Sequence, residues 1–253
     1  MPLPKLKGHE MIRSVAVLAL SAFALSASAE DLTITFKSND GSTATHYFTK
    51  DRIRMGSGKT DTIMEFVSGK IITIDHQKKQ YSEMTVAEMD EAMKAMAAQM
   101  EQTMASMPPQ MREKMAGMMG AATGEVTVTK GASKTIAGYP CQTYTIAMGT
   151  NMTQESCNST ALVPPFDPAN FQKLSRVSIP MMQGMDKMVK KMSEVQGIAL
   201  WQHTTMSMMG RKVDTTMEAT EVKKGAVPTD AFATPAGYKL VESPIKKMGK
   251  AGK

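Results

Sequence analysis

A stripe of nine methionines between residues 85 and 120 constrains the fold more than any other feature of this sequence. The intervals between them run 4, 3, 4, 4, 3, 4, 4 and 3 residues. Because an α-helix turns about 100° per residue, eleven-residue repeats of this kind keep the side chains on one slowly drifting face. The pattern predicts a helix with a thioether stripe made of Met89, Met93, Met96, Met100, Met104, Met107, Met111, Met115 and Met118.

Local signals bound this helix. Thr85 with Glu88 three residues later has the spacing of a capping box and predicts the start. Pro108 and Pro109 interrupt the backbone but not the phase of the stripe, so two helices end to end are expected, with a kink or break near Ser106 to Pro109. A second stripe with spacing 4, 3, 4 predicts another Met-bearing helix within residues 167–196, at Met181, Met185, Met188 and Met192.

The first 29 residues have the pattern of a secretory signal peptide, with basic residues, an apolar run at 15–25 and a small-residue motif at 27–29. The pattern predicts cleavage between Ala29 and Glu30, and a periplasmic or secreted protein. The net charge of +6 comes without a basic cluster interleaved with aromatics, so nucleic-acid binding is not expected.

The chain has two cysteines, Cys141 and Cys157. In an exported protein a disulfide is the default. Gly149 stands midway between them, so a hairpin would bring both strands into register for the bond. Spacing of this kind does not favour a redox pair or a zinc site.

The rest of the amino-acid sequence predicts β-strands. Alternation begins at Leu32, Ile34 and Phe36, and a meander follows to about residue 75. Further strands are expected at 125–129 and 134–136, in the cysteine hairpin, and in a hairpin at 198–222. Strand runs separated by helices predict an α+β fold: one curved antiparallel half-barrel sheet, its concave face covered by Met-rich helices. We expect one domain over residues 30–243, followed by a flexible basic tail at 244–253 that could contact an anionic membrane surface.

Four segments carry a resemblance to a known family. They are "YFTKDRIRM", "GKIITIDHQKKQYSEMT", "GYPCQTYTI" with its second cysteine, and "VPTDAFATPAGYKLVE". In these the chain resembles an exported domain-of-unknown-function family thought to share the fold of the bacterial lipoprotein carriers LolA and LolB. The resemblance implies a half-barrel, helices acting as a lid and an apolar cavity, and it implies no activity.

The methionine stripes allow three main interpretations. They can pack permanently on the sheet in a structural envelope protein with a self-filled cavity. They can cover a hydrophobic small molecule or lipid, since methionine adapts to varied shapes. They can bind Cu(I), for which thioethers are suitable ligands, at Met96, Met100 and Met104. Docking of a partner protein or scavenging of oxidants by methionine is a further use of the same stripes.

Other residues add little chemistry. His46, His76 and His203 are scattered, and no catalytic motif occurs, so neither an enzyme nor a cofactor is expected. Trp201, the one tryptophan, is expected in the core or in a cavity wall beside the ligand. The sequence therefore favours a non-enzymatic exported binding protein for an apolar ligand.

Overall fold

The computed structural model describes residues 30–113, 126–149, 152–167, 169–170, 190–208 and 211–251. Within these ranges twelve strands form one sheet. The strands are β1 Leu32–Ser38, β2 Thr43–Phe48, β3 Arg52–Gly56, β4 Thr60–Glu65, β5 Lys70–Asp75, β6 Gln80–Thr85, β7 Val126–Ile136, β8 Tyr139–Met148, β9 Met152–Ser159, β10 Ile198–Met208, β11 Arg211–Lys224 and β12 Lys239–Leu240.

The sheet is organised around β1, which pairs with β2 on one side and with β11 on the other. The meander β2 to β6 extends to one side and the strands β11 to β7 extend to the other, giving the order β12-β6-β5-β4-β3-β2-β1-β11-β10-β9-β8-β7. These pairs are antiparallel except that of β12 with β6, which is parallel. The predicted antiparallel meander and hairpins are confirmed.

One side of the sheet carries the main hydrophobic cluster, and we call it the core face. Leu32, Ile34 and Phe36 of β1 are buried there, in strict alternation with partly buried neighbours. They pack with Phe48 and Leu200 from strands on either side. Alternate residues of a strand share one face, so the core position of these three residues of β1 follows from their spacing in the sequence.

The sheet is curved. Tyr139, at the turn between β7 and β8, packs against the core cluster, and Nζ of Lys224 at the end of β11 lies 5.7 Å from the centroid of its ring. The hairpin therefore returns towards β11 although three strands separate β7 from it in the sheet order. A large, open, curved and mainly antiparallel sheet is what the α+β prediction required.

The first helix, α1, spans Val86–Ser106 and is the first methionine helix predicted. The capping box is present: the backbone N–H of Glu88 donates to the Thr85 hydroxyl at 3.2 Å, and the Thr85 N–H donates to the Glu88 carboxylate at 2.7 Å. Helix α1 ends at Met107, which is extended because helical backbone is disfavoured immediately before a proline. Both the predicted start and the predicted break are confirmed.

The C-terminal segment differs from the flexible tail expected at 244–253. Residues Pro244–Ala251 form a second helix, α2, which packs on α1. Gly249 approaches Ala92 so closely that a Cβ on Gly249 would lie 3.0 Å from the Ala92 Cα. The segment is ordered because of a tertiary contact. Ile245 and Gly249 lie one helical turn apart and present a small apolar surface to α1, while the lysines of α2 lie beside that surface.

Among the helices in the described ranges, none combines the length and the apolar character needed to cross a membrane.

Candidate apolar binding site

The methionine stripe of α1 begins against the core face. Met89 is buried in a cluster with Ile71 of β5 and Met84 of β6, and Met93 packs against the same cluster. Ile71 and Met84 are directly opposed in the β5–β6 pair, so their side chains share a face. Opposed pairs across β2, β3 and β4 connect that face to the core face of β1. Helix α1 thus starts on the side of the sheet that carries the hydrophobic core.

The rest of the stripe is less enclosed. After Met93, the next four thioether residues are only partly buried: Met96, Met100, Met104 and Met107. Met111 is 60% exposed, and Met192 of the second stripe is partly buried. Met115, Met118, Met181, Met185 and Met188 lie outside the described residues, as does Ala29 of the expected cleavage site, while Glu30 is the first described residue.

On the other half of the sheet the core face mixes apolar and uncharged polar residues. Directly opposed pairs place Met217, Gln202, Ser156 and Tyr144 in one row across β11, β10, β9 and β8. Ser156 is 2% exposed, and its neighbours Tyr144 and Ile146 are also buried. The part of this face around Ser156 is therefore enclosed, whereas Gln202 and Met217 in the same row are only partly buried.

Buried oxygens without partners mark the same region. Within the described part of the chain, the side-chain oxygens of Ser156, Asn158 and Ser159 are buried and have no hydrogen-bond partner. Asn158 uses its amide nitrogen to donate to the Gly197 carbonyl at 3.3 Å. Buried polar atoms are mostly hydrogen-bonded in folded proteins, so three such oxygens within four residues are an unusual feature of β9.

Trp201 lies on the opposite face from Gln202, because it is the next residue along β10. It is opposed to Cys157, and the Lys134 ammonium lies 5.0 Å from its ring centroid. Trp201 therefore does not lie on the core face with Met89, as it would if both residues lined one ligand cavity.

The disulfide is formed as predicted. Cys141 of β8 and Cys157 of β9 are bonded, with their Cα atoms 5.4 Å apart. The bond ties together the two strands that carry Tyr144 and Ser156.

A polar cluster on the face opposite the core was not found by sequence reasoning. Asp61 accepts hydrogen bonds on Oδ2 from Arg54, at 2.9 Å from Nε, and lies 3.1 Å from Nε2 of His76. Nδ1 of His76 lies 3.0 Å from the Tyr238 hydroxyl. A cavity of about 310 Å³ adjoins the cluster, lined by Thr43, Ala44, Thr45, Tyr47, Arg54, Gly58, Asp61 and His76.

A sequence signal for this cluster does exist. Asp61 alternates with Ile63, and His76 with Ile74, so each ionisable residue continues a buried apolar row. A charged residue in such a row needs a partner, although its identity follows only from the fold. The cluster fastens the C-terminal segment to the sheet.

His46 of β2 lies on the core face, directly opposed to Ile34 of β1. Its ring lies 4.5 Å from that of Phe36, centroid to centroid, and Nε2 lies 2.9 Å from the Gly56 carbonyl oxygen. Burial lowers the pKa of His46 below its ordinary value, and the contact with Gly56 and the charge of Asp61 oppose that effect only in part.

Within the described ranges, no group of three or more histidine, cysteine, aspartate or glutamate residues is arranged to hold a metal ion.

The family comparison covers most of the chain. The model of a family described as "Domain of unknown function (DUF4412)" matches residues 30–238. The chain belongs to this family. The predicted membership of a domain-of-unknown-function family is confirmed, and the match ends at Tyr238, which contacts His76. No curated protein sequence matches this DUF4412 chain.

Solved structures similar to this DUF4412 protein are distant. PNGF-II has a TM-score of 0.41 at 13% identity over 88% of this chain, which spans only 33% of PNGF-II. The MucA/MucB complex of Pseudomonas aeruginosa has a TM-score of 0.39 at 12% sequence identity. The match covers 85% of this chain and 59% of the matched chain of that complex. A domain from Vibrio parahaemolyticus, described provisionally as an outer membrane lipoprotein-sorting protein, has a TM-score of 0.20 at 9% sequence identity. The match covers 79% of this chain and 88% of that domain. All three TM-scores lie below 0.5, and no functional conclusion rests on them.

Proposed function

We propose that this DUF4412 protein is a non-enzymatic, exported binding protein that holds an apolar ligand, such as a lipid or acyl chain, under its Met-rich helices. The observation that carries the proposal is the position of the α1 stripe. It starts on the core face at the buried Met89, and it continues through Met93, Met96, Met100 and Met104, which are only partly buried. A stripe that served packing alone would gain more by burying all of its thioethers.

The chemistry of methionine suits this role. Its unbranched thioether adapts to irregular shapes, so one surface can accept acyl chains of different length. Each methylene transferred from water to such a surface contributes about 0.8 kcal/mol. Binding through the stripe would therefore need no charged contact with the chain of the ligand.

Export is supported by two independent features. The signal-peptide pattern precedes residue 30, where the family match begins. The disulfide between Cys141 and Cys157 is of the kind that persists in oxidising compartments. We therefore propose the periplasm as the location.

Cu(I) binding at Met96, Met100 and Met104 is the rival hypothesis. All three are on α1 and partly buried. At a rise of 1.5 Å per residue, however, Met96 and Met104 lie about 12 Å apart along the axis, so one ion would bind two adjacent methionines more readily than all three. A lipid chain, in contrast, could contact the whole length of the stripe.

The test combines native mass spectrometry with dye binding. Protein purified from its exported location should release a lipid on denaturation, and delipidated protein should bind the apolar dye 1-N-phenylnaphthylamine. Met100→Asp should abolish dye binding, whereas Gln99→Asp, an exposed neighbour on α1, should not. Replacement of Met96, Met100 and Met104 by leucine should preserve dye binding and would abolish any Cu(I) binding. Protein without lipid or dye binding would contradict the proposal.

A further inference from the structure

The polar cavity beside Asp61 has the form of a second binding site, on the face of the sheet opposite the core. Its volume of about 310 Å³ lies at the lower end of the range for small-molecule sites, about 300–1,000 Å³. Thr43 and Gly58 in its lining are exposed, whereas Asp61 is only 9% exposed. The cavity therefore has an open mouth and an enclosed floor, and a small ligand can enter it.

The cavity lies where strands β2 and β3 separate. Within the described residues, the pair of Tyr47 with Arg54 is the last that joins these strands, and the part of β2 before Tyr47 has no partner on β3. Thr43, Thr45 and Tyr47 alternate along β2, so they share the face that carries Arg54. The separation of the two strands therefore leaves a cleft with threonine and tyrosine side chains on one wall.

The other wall presents hydrogen-bond donors and acceptors side by side. Asp61 uses Oδ2 for its contacts with Arg54 and His76. Its other carboxylate oxygen, Oδ1, lies directly over Gly56, where an added Cβ would clash with it. Arg54 uses three of its five N–H groups on Asp61 and on the Ala231 carbonyl. Since a carboxylate accepts and a guanidinium donates, this pair suits two adjacent hydroxyls, one donating and one accepting.

The charges in this part of the sheet are balanced. Three pairs of opposite charge lie there: Arg54 with Asp61, Lys59 with Asp40, and Arg52 opposed to Glu65. The cavity lining otherwise consists of His76, which contacts Asp61, and of uncharged residues. An anionic or cationic ligand would have to displace a counter-ion that is already in place, so a neutral ligand is favoured.

We infer that the cavity binds a neutral monosaccharide, whose adjacent hydroxyls bind Arg54 and Asp61 and whose other hydroxyls meet Thr43 and Thr45. A hexose combines small size with several groups that each donate and accept, and it carries no charge. The inference does not rest on the proposed function, because the apolar site lies on the other face of the sheet.

Titration calorimetry on the unaltered exported protein tests the inference. The probes are the neutral hexoses glucose, galactose and mannose, and the charged derivatives glucose 6-phosphate and glucosamine. We expect saturable binding of at least one neutral hexose, and binding of both charged derivatives about tenfold weaker than that of the best hexose. No saturable binding of any neutral hexose would overturn the inference. A charged derivative that binds more tightly than the best hexose would also overturn it.

Two variants locate the site without breaking the Arg54–Asp61 pair. Thr45→Val removes one hydroxyl at nearly constant shape and should weaken the best hexose about fivefold, the effect of one lost hydrogen bond. Thr43→Phe fills the exposed mouth and should abolish binding. Thr145→Val is the matched control, a partly buried threonine of β8 outside the cavity, and should bind normally. Unchanged affinity in Thr43→Phe would overturn the inference, and this variant decides the matter if Thr45→Val does not fold.

A competition experiment separates this site from the apolar site. The best hexose should leave the binding of 1-N-phenylnaphthylamine unchanged, and Met100→Asp should leave the binding of the hexose unchanged. Displacement of the dye by the hexose would place both ligands in one site and overturn the inference. Hexose binding by a protein that binds no dye would support the inference and contradict the proposed function alone.

Discussion

Arg54 and Asp61 form a nearly enclosed ion pair on the face of the sheet opposite the core, with their side chains 14% and 13% exposed. Nε of Arg54 lies 2.9 Å from Oδ2 of Asp61, and a second guanidinium nitrogen donates to the Ala231 carbonyl at 2.7 Å. The pair therefore connects the β3–β4 hairpin with the C-terminal segment 177 residues later.

Loss of this pair should be costly. Asp61→Asn leaves the Arg54 charge enclosed without a counter-ion, and breaking such a pair typically costs about 3–5 kcal/mol. We expect a loss of about 3 kcal/mol, the lower end of this range, because both side chains retain some exposure to solvent. Urea unfolding measures the effect, with Glu221→Gln, from an exposed pair with Lys223, as the control that should change little. An Asp61→Asn protein as stable as the parent would refute this role.

His46 should make the protein less stable in mild acid. Its folded-state pKa lies below the ordinary 6.5, so on acidification the unfolded chain binds a proton here before the folded chain does. The stability associated with His46 is complete above pH 6.5 and declines as the pH falls from 6.5 towards the folded-state pKa. The loss of Tm between pH 7.5 and 5.5 should be smaller in His46→Phe, which keeps an aromatic ring beside Phe36.

The control for this prediction is His203→Gln. His203 is a partly exposed histidine of β10 that lies 3.5 Å from Asp214 and 3.6 Å from Glu155, away from Phe36 and His46. Its replacement should not reduce the acid sensitivity. Parallel Tm profiles for His46→Phe and the parent protein would show that His46 is not the cause.

The disulfide should contribute substantially to stability. Cys141 and Cys157 are 16 residues apart, and closing a loop of this size is worth about 3 kcal/mol in the chain-entropy model. Replacement of both cysteines by alanine should lower the free energy of unfolding by about 2–4 kcal/mol. Reduction of the parent protein should give a similar loss and leave the double variant unaffected. A reductant effect on the double variant would point to another cause.

Helix α2 should stabilise the start of α1. Ile245 packs against the cluster of Ile71, Met84 and Met89, whereas Met248 on the same helix is 47% exposed. Ile245→Ala should cost about 1–2 kcal/mol, less than a fully buried isoleucine would, and Met248→Ala should cost almost nothing. Equal unfolding midpoints for the two variants would mean that α2 does not depend on Ile245.

Much of the local structure could be predicted from the sequence. Alternating side chains identify β1 and the meander, the Thr85–Glu88 box starts α1, and Pro108 ends it. Each of these signals acts between residues at most four apart, so it can be recognised from the sequence alone. Strand β7 was less clear: it is one strand with a register irregularity between Lys130 and Ser133, where two shorter strands were expected. A bulge of this kind keeps the strand continuous without keeping the alternation.

The sequence by itself determined the strand pattern and the methionine helix, because both depend on short spacings, and the disulfide partners, because the chain has just two cysteines. Only the tertiary structure decided that α2 packs on α1, that Trp201 faces away from the core, and that His76 meets Tyr238 across 162 residues. The same holds for the buried oxygens of Ser156 and Asn158, whose enclosure depends on the strands beside β9. Contacts of this kind arise from the order and curvature of the whole sheet, which no local pattern encodes.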